Sequence, residues 1–555
     1  MRTEQTGERG QTAWSDIDWT AAEAAVRRLQ DRIYRAAAAG NGRQAKNLQK
    51  LLVRSLSAKR LAVRRVTQQN AGRNTPGVDG VVCRTPESRT RLTAGLSLRG
   101  YRPQPVRRVH IPKSDGRGRT RPLGIPTIRD RALQMLVKLA LEPEWETRFE
   151  TNSYGFRPGR CTMDAIVAIH ATLAPAGASG WLLDADISGC FDGIGHDPLL
   201  ARLPVFTITI RRWLKAGAVE LGAWTPTTAG AAQGGPLSPL LANVALDGME
   251  RLFGAEDAKG RYVRPSGRRG LDHGVGLIRY ADDLVVAAPT REVLATYVVP
   301  KLTTFLGERG LKLSEAKTWI VHIDEGIDFL GFTVRRHRGV ILTRPQKAKL
   351  VRHLRAIGDY LRQHRQATPR QVIGDLAPLI RGWANYYRHG ASKRAFHWAD
   401  HHVNAKLRRW AKRRHPTKTA AWLRSRYFDA KWNFVDGRTR LARHDEVRIT
   451  RHAKVQGKRT PLSPDDRGYW ELRRCRRLAD TPRSPRRLAL LRRQDSRCAL
   501  CGVRFDPDED ISLTDEHHDT PRHRGGTDQL DNLQLVHRWC HHAHHARIGY
   551  QAAEA

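Results

Sequence analysis

The sequence predicts a multidomain chain of α+β class. Three observations carry this. Residues 1–70 show alanine- and leucine-rich periodicity near 3.6 residues, with Arg and Lys on the remaining faces, and residues 345–430 return to it. Between about 100 and 335, strand-like and helix-like stretches mix between Gly and Pro breaks. Residues 491–555 gather Cys and His into a compact module. The expected divisions are 1–70 (a helical extension), 71–335, 336–436, 437–490 (Arg/Pro-rich and basic) and 491–555.

Composition bounds the reading. The 555 residues suffice for three or four domains with real cores. The formal net charge is +42. Such an excess speaks of partners rather than fold, and nucleic acid is the commonest. Residues 401–500 hold 29 Lys/Arg against 9 Asp/Glu, a net of +20, and form a polyanion-binding surface by themselves. Seven scattered cysteines are odd in number and do not make a disulfide framework. "MRTEQTGERGQTAW" has no apolar h-region, and no 18-residue apolar run exists, so neither secretion nor a membrane span is expected. The expected compartment is a reducing cytoplasm.

In the mixed region, "IRYADDLVVAAP" (278–289) reads as two short strands meeting at a tight turn, with Asp282 and Asp283 at its tip. Adjacent carboxylates repel, and a protein rarely sets them against a core without a cation. "WLLDADISGCFDGI" (181–194) begins as a buried strand that points Asp184 and Asp186 to one face at period two. Asp186, Asp282 and Asp283 together could hold two Mg²⁺ ions roughly 3.5–4 Å apart. That is the demand of nucleotidyl transfer from a triphosphate, where catalysis is mostly positioning and charge stabilisation.

Neighbouring stretches fit. "HIPKSDGRGRTRPLGIPTIRDRALQ" (110–134) carries Lys113, Arg117, Arg119 and Arg121 on a hairpin, as a clamp for a triphosphate or template backbone. In "AAQGGPLSPLLANVALDGME" (231–250), Gln233, Gly234 and Gly235 allow close backbone approach to a base or sugar, and Pro236 suits a helix start. "LIRGWANYYRHGASKRAFHWADHHVNAKLRRWAKRRHPTK" (379–418) interleaves aromatics with cations, which suits RNA by stacking and phosphate neutralisation; Trp383, Tyr386, Tyr387 and Arg388 are the expected contacts. Cys498 and Cys501 at C-x₂-C spacing, with His537 and Cys540 at matching spacing, make a closed four-ligand Zn²⁺ site. A module of about 65 residues buries little core and needs such a site to hold it.

Eight segments in order, "NTPGVDG", "RPLGIPT", "SYGFRPGR", "DISGCFD", "QGGPLSPLLAN", "RYADD", "LSEAKT" and "FLGF", resemble the successive blocks of a group II intron-encoded reverse transcriptase. "GWANYYR" resembles that family's thumb, or maturase, domain, and "EHHDTPRHRGGTDQLDNLQLVHRWCHH" resembles an HNH nuclease. The resemblance implies a right-hand polymerase of fingers and palm, a helical thumb, a basic DNA-binding segment and a ββα-metal zinc module. It implies Asp186, Asp282 and Asp283 as ligands of two Mg²⁺ ions, and Lys113 and Arg121 as triphosphate or template contacts. Phe191 would exclude a 2′-hydroxyl and so favour dNTPs, and Lys317 would protonate the leaving pyrophosphate. In the nuclease it implies His518 as general base, His517 and His541 as ligands of one Mg²⁺ or similar ion, and Asn532 orienting the hairpin or His518. His541 and His542 could exchange roles; His544 and His545 read as solvated surplus. The implied partners are an intron RNA, a DNA target and dNTPs, with no membrane; a homodimer is left open. A splicing-only RNA-binding protein with a decayed polymerase, a stand-alone homing nuclease with a large binding domain, and another kind of bacterial reverse transcriptase are the competing readings. The chain departs from the family at Ser188, where Lys is common, and at Ala231-Ala232, where Thr-Pro is common; neither position is a metal ligand.

Overall fold

The computed structural model describes residues 13–112, 118, 120–173, 180–254, 274–480, 485–505 and 514–548. The first helices are α1 (Trp19–Ala38), α2 (Gly42–Arg54) and α3 (Leu56–Arg64). Asp18 caps α1 by accepting from the Ala21 amide at 2.9 Å, and Asn41 caps α2 in the same way at Gln44. Their apolar residues recur at helical spacing, and Val26, Ile33, Leu48, Leu52 and Leu61 are buried in one core with α5. Next come α4 (Pro86–Ala94), then the hairpin β1 (Val106–Pro112) and β2 (Thr120–Ile125), then α5 (Ile128–Arg148), which is buried on nearly every face.

The central unit continues with α6 (Thr162–Leu173), β3 (Trp181–Asp186), α7 (Cys190–Gly193), α8 (His196–Arg202), α9 (Thr207–Leu214), β4 (Ala218–Glu220), β5 (Ala223–Thr225) and α10 (Ser238–Leu246). The hairpin joins β4 and β5 in a sheet of order β2-β1-β4-β5. The helix α10 begins at Ser238 with Pro239 in its first turn, so the helix-start role expected of Pro236 belongs to Pro239. Then follow β6 (Gly276–Tyr280), β7 (Asp283–Ala288), α11 (Val299–Gly307), β8 (Trp319–His322), β9 (Ile327–Phe329), β10 (Phe332–His337) and β11 (Val340–Pro345). The palm sheet has the order β6-β7-β3-β8, with every neighbouring pair antiparallel.

Side chains alternate across this sheet. Leu183, Ala185, Leu277, Leu284 and Val286 bury one face in a core that includes α10 and α11. Leu182, Ile278, Val285 and Ala287 bury the other in a core that includes α6 and β9–β11. The second face changes from apolar to acidic at one end, where Asp184, Asp186 and Asp283 stand.

Four helices follow: α12 (Lys347–Gln363), α13 (Pro369–Tyr387), α14 (Lys393–Arg414) and α15 (Ala420–Tyr427). They share a core built from Leu354, Ile357, Leu376, Ile380, Leu407 and Trp410. A two-residue ribbon, β12 (Val435–Asp436) and β13 (Thr439–Arg440), then leads into the basic stretch. Much of that stretch is packed rather than free. Fully buried Asp164 on α6 accepts from the Val455 amide at 2.9 Å, from His452 at 3.0 Å and from Arg473 at 3.1 Å. Arg467 is ion-paired to Asp31 on α1, and Arg27 donates to the Pro461 carbonyl. The expected basic segment is therefore also a strap across α6 and the first helix.

Beyond the strap lie α16 (Arg467–Asp480), α17 (Pro485–Arg493), β14 (Thr514–His518), β15 (Leu533–His537) and α18 (Arg538–Arg547). The two strands pair antiparallel, His518 opposite Leu533, and α18 follows directly, which gives the ββα order expected of the module.

Candidate functional site: a carboxylate cluster and a Cys/His module

The turn expected at the tip of "RYADD" is formed by Ala281 and Asp282 between β6 and β7. Ala281 has φ of +57°, a left-handed conformation that costs an L-residue energy and needs support. Fully buried Arg279 supplies it. One of its guanidinium nitrogens donates to the Ala281 carbonyl and to Asn243 Oδ1, both at 3.1 Å, and another to Ser153 Oγ at 2.7 Å. Asn243 donates in turn to the Gly155 carbonyl at 2.8 Å. A Cβ on Gly155 would lie 2.4 Å from the Ala281 amide nitrogen, so only glycine fits beneath the turn. The "SYGF" and "LAN" blocks thus build the floor of the turn. Sequence reasoning assigned no role to Arg279 and Asn243, although they open "RYADD" and close "QGGPLSPLLAN".

The turn carries Asp283 to a place directly across from Asp186, as Cα partners in the β3–β7 ladder. Asp282 stays within the cluster's field. The Asp283 carboxyl is pushed up to about 7 by burial first, then by Asp282, Asp186 and Asp184. Asp282 is also raised, chiefly by burial, with Asp186 adding and Arg121 and Lys317 opposing. Asp184 rises to about 6 through burial, Asp328 and Asp186. Lys317, at the end of a short 3-10 turn, is ion-paired with Asp186. Four acidic groups meeting near two cations leave an excess of negative charge, and this fits divalent cations.

Around the cluster, the Gln233 carbonyl accepts from the Gly124 amide at 2.8 Å. Gly234 has φ of +126°, and a Cβ there would lie 2.7 Å from the Gly124 carbonyl. Gln233 and Gly234 thereby seat the 231–235 loop on the β1–β2 hairpin, whose exposed Arg121 lies within electrostatic reach of Asp282. Lys113, Arg117 and Arg119 lie outside the described residues. Phe191 on α7 is half-buried, its ring edge-on to Phe156 at 6.1 Å, and its carbonyl accepts from the Ala231 amide at 2.7 Å.

The four expected RNA contacts on α13 do not form an exposed face. Tyr387 and Arg388 are buried. Trp383 is half-buried and stacked on His353, with centroids 5.0 Å apart and an 11° interplanar angle. Tyr386 is partly exposed but donates to the Leu330 carbonyl at 2.8 Å. Packing takes Tyr387, and part of Trp383, because they fall on or beside the core-facing side of an amphipathic helix. Trp398, on α14, is the more exposed tryptophan of this region.

In the terminal module, the ligand atoms of Cys498, Cys501, His537 and Cys540 all lie within 4.8 Å of one another. Three sulfurs and one imidazole gathered so closely fit a tetrahedral structural zinc. The group reaches beyond its own module. Arg64 on α3, fully buried, directs its guanidinium to Cys501 Sγ at 3.3 Å and Cys540 Sγ at 3.6 Å. The same guanidinium stacks over Trp19 at 4.3 Å, and Thr20 Oγ1 donates to the Cys501 carbonyl at 3.4 Å.

A second cluster joins His517, His541 and His545, again within 4.8 Å. His545 is therefore a member, not surplus: it stands one helical turn after His541 on α18, with 2.9 Å between their Nε2 atoms. His541 Nδ1 faces Asp515 at 3.2 Å, a partner that fixes ring orientation. Burial and the neighbouring imidazoles hold His517 down to about 4, so it is neutral and ready to ligate at neutral pH. His518 lies outside this group, with Nε2 2.8 Å from Asp528 Oδ1. Among the described residues, the side chain of Asn532 makes no hydrogen bond to His518. It bonds Thr520 N, Thr520 O and Thr527 O at 2.8–3.0 Å and staples the 519–532 loop.

Comparison with known families places these parts. The model of reverse transcriptase (RNA-dependent DNA polymerase) matches residues 111–334, and that of the N-terminal domain of reverse transcriptase matches 14–96. The group II intron maturase-specific domain matches 350–428, and the HNH endonuclease matches 498–547. Protein YkfC of Escherichia coli is 33% identical over 325 residues, 51% of this chain and 83% of that protein. The group II intron-encoded protein LtrA of Lactococcus lactis is 29% identical over 338 residues, 50% of this chain and 55% of that protein. The matched families thus define a reverse transcriptase joined to an HNH endonuclease. The chain belongs to the group II intron-encoded proteins, multifunctional polymerases that also carry a maturase domain. The chain spans about half the length of LtrA. Among the described residues, no helix is long and apolar enough to cross a membrane.

Proposed function

We propose that the chain copies an intron RNA into DNA from a primer end that its own nuclease module creates in the DNA target. The functional units are 71–335 for fingers and palm, 336–436 for the thumb, 437–490 for a basic segment that meets DNA, and 491–555 for the nuclease, with 1–70 as an N-terminal extension. The intron RNA binds fingers and thumb and is assisted in splicing.

The observation that carries the polymerase reading is the in-register pair Asp186 and Asp283 beside Asp282. These three carboxylates would hold two Mg²⁺ ions. Those ions supply activation of the primer 3′-hydroxyl and neutralisation of the leaving pyrophosphate. Arg121, with Lys113, grips the triphosphate. Gln233 and Gly234 let the backbone approach the nucleotide, and Phe191 sits beneath the sugar and rejects a 2′-hydroxyl. Lys317, beside Asp186, gives its proton to the departing pyrophosphate oxygen.

In the nuclease, His517, His541 and His545 would hold one Mg²⁺ or similar ion, which polarises the scissile phosphate. His518, oriented by Asp528, takes the proton of the attacking water. Cys498, Cys501, His537 and Cys540 hold a structural Zn²⁺. The test is dNTP incorporation on a primed RNA template, with the intron RNA supplied, beside an Asp282→Ala, Asp283→Ala double variant. Incorporation by the wild type alone supports the reading. No incorporation by either, with RNA binding intact, overturns it in favour of a splicing-only role.

A further inference from the structure

An open cleft of about 980 Å³ separates the N-terminal domain from the nuclease helix α18. It contains no residue of the carboxylate, zinc or imidazole clusters. One wall comes from residues 67–91 and the other from α18. Arg73, Arg84, Arg89, Arg91, Arg538 and Arg547 line it, against a single carboxylate, Glu87.

These cations have few partners among the described residues. Among the described residues, Arg538 alone of the six is ion-paired, with Asp515 at 3.2 Å. Arg89 Nε and Trp539 Nε1 are buried donors with no acceptor among the described residues. Guanidiniums crowded along a groove repel one another, and buried N–H groups without acceptors cost free energy. A run of phosphates relieves both, because each brings negative charge and acceptor oxygens, and guanidiniums match that geometry.

The position of the cleft selects the kind of nucleic acid. Arg538, His542 and Ala546 recur every four residues along the wall formed by α18. His541 and His545 are each one residue, or about 100° of helix, away on the adjoining face. A strand lying in the cleft therefore runs beside the imidazole cluster. We propose that the cleft holds the backbone of the duplex DNA that the nuclease module nicks, so that the N-terminal domain and α18 grip the substrate jointly. This rests on the nuclease reading above, but its test needs no cleavage.

The test uses the full chain and an Arg84→Gln, Arg91→Gln, Arg547→Gln variant, all three exposed positions. Binding of a fluorescein-labelled duplex DNA of arbitrary sequence is followed by anisotropy over a range of KCl without Mg²⁺. A single-stranded RNA of the same length is the second probe. Each lost phosphate contact lowers the salt slope by about 0.9, so the duplex slope is expected to fall by about 3. The RNA slope, zinc content and dNTP incorporation stay unchanged. An unchanged duplex slope overturns the proposal. An equal or larger fall for RNA also overturns it and assigns the cleft to RNA. A wild type that binds duplex through these arginines yet never nicks it, with Mg²⁺ supplied, sinks the nuclease reading and leaves the cleft as a DNA site.

Discussion

Asp186 on β3 and Asp283 on β7 face each other as Cα partners at the acidic end of the palm sheet. Because the Asp283 carboxyl is pushed up to about 7, against an ordinary 3.8, its protonated form favours the fold. That contribution is complete below pH 3.8 and is lost as pH rises through 7. Added Mg²⁺ should therefore raise the melting temperature more at pH 8 than at pH 5. Asp283→Asn should flatten most of this difference and make the metal-free protein more stable at pH 8. An equal Mg²⁺ shift at both pH values, unchanged by the substitution, would remove Asp283 from the metal site.

Phe191 is braced by Phe156 and by the hydrogen bond between its carbonyl and the Ala231 amide. Replacing it with Val opens space without disturbing that backbone bond. The ratio of kcat/KM for a dNTP over the matching rNTP should fall about 10- to 100-fold, the range that one apolar contact commands in a specificity pocket. Incorporation kinetics with each nucleotide read this directly. An unaltered ratio would return Phe191 to plain packing.

Arg64 bridges Cys501 and Cys540 of the Cys/His group from the distant helix α3. Arg64→Met removes charge-assisted bonds worth about 1.5–3 kcal/mol each. The backbone amides of residues 498–505 should then exchange hydrogen about tenfold faster or more, while zinc content and dNTP incorporation persist. Cys540→Ser should instead lose the zinc and the nicking activity together. Unchanged exchange in the Arg64 variant would show that the module docks without it.

In the nuclease, the His518–Asp528 contact at 2.8 Å is expected to set ring orientation. His518→Ala should slow nicking by about 10²- to 10⁴-fold, the usual span for a lost general base. Asp528→Asn should slow it less, with duplex binding and polymerase activity intact. Nicking at the wild-type rate after His518→Ala would move the base elsewhere, with His517 and His541 the neighbours to test.

The first strand of the palm was legible because alternation along a strand is a local rule, and Asp184 and Asp186 obey it; Asp283, expected with Asp282 at the tip of the turn, instead opens β7. The gathering of Cys498, Cys501, His537 and Cys540 was legible through paired two-residue spacing. His545 was missed although the signal existed: it follows His541 by four residues on a helix. The burial of Tyr387 on α13 was not foreseen because composition, not helical phase, was weighed. Leu376, Ile380, Ala384 and Tyr387 recur every three or four residues and mark the buried side. Arg279 and Asn243 stood inside quoted blocks but gave no sign of pairing with each other, and Arg64 left no trace, since their partners are fixed only by tertiary contact. Arg64 and Cys501 are 437 residues apart.

The strap and the zinc group both close on helices made early in the chain. Arg467 reaches Asp31, the Pro461 carbonyl meets Arg27, and Cys501 meets Thr20 and Arg64. A ribosome adding about 5–20 residues per second takes roughly 20–100 s to travel between these partners. For that time a buried arginine and the ring of Trp19 wait uncovered on the nascent chain. Completion of the last module is then also what shelters the first, and a message cut short before residue 498 would release a protein with an open, adhesive front.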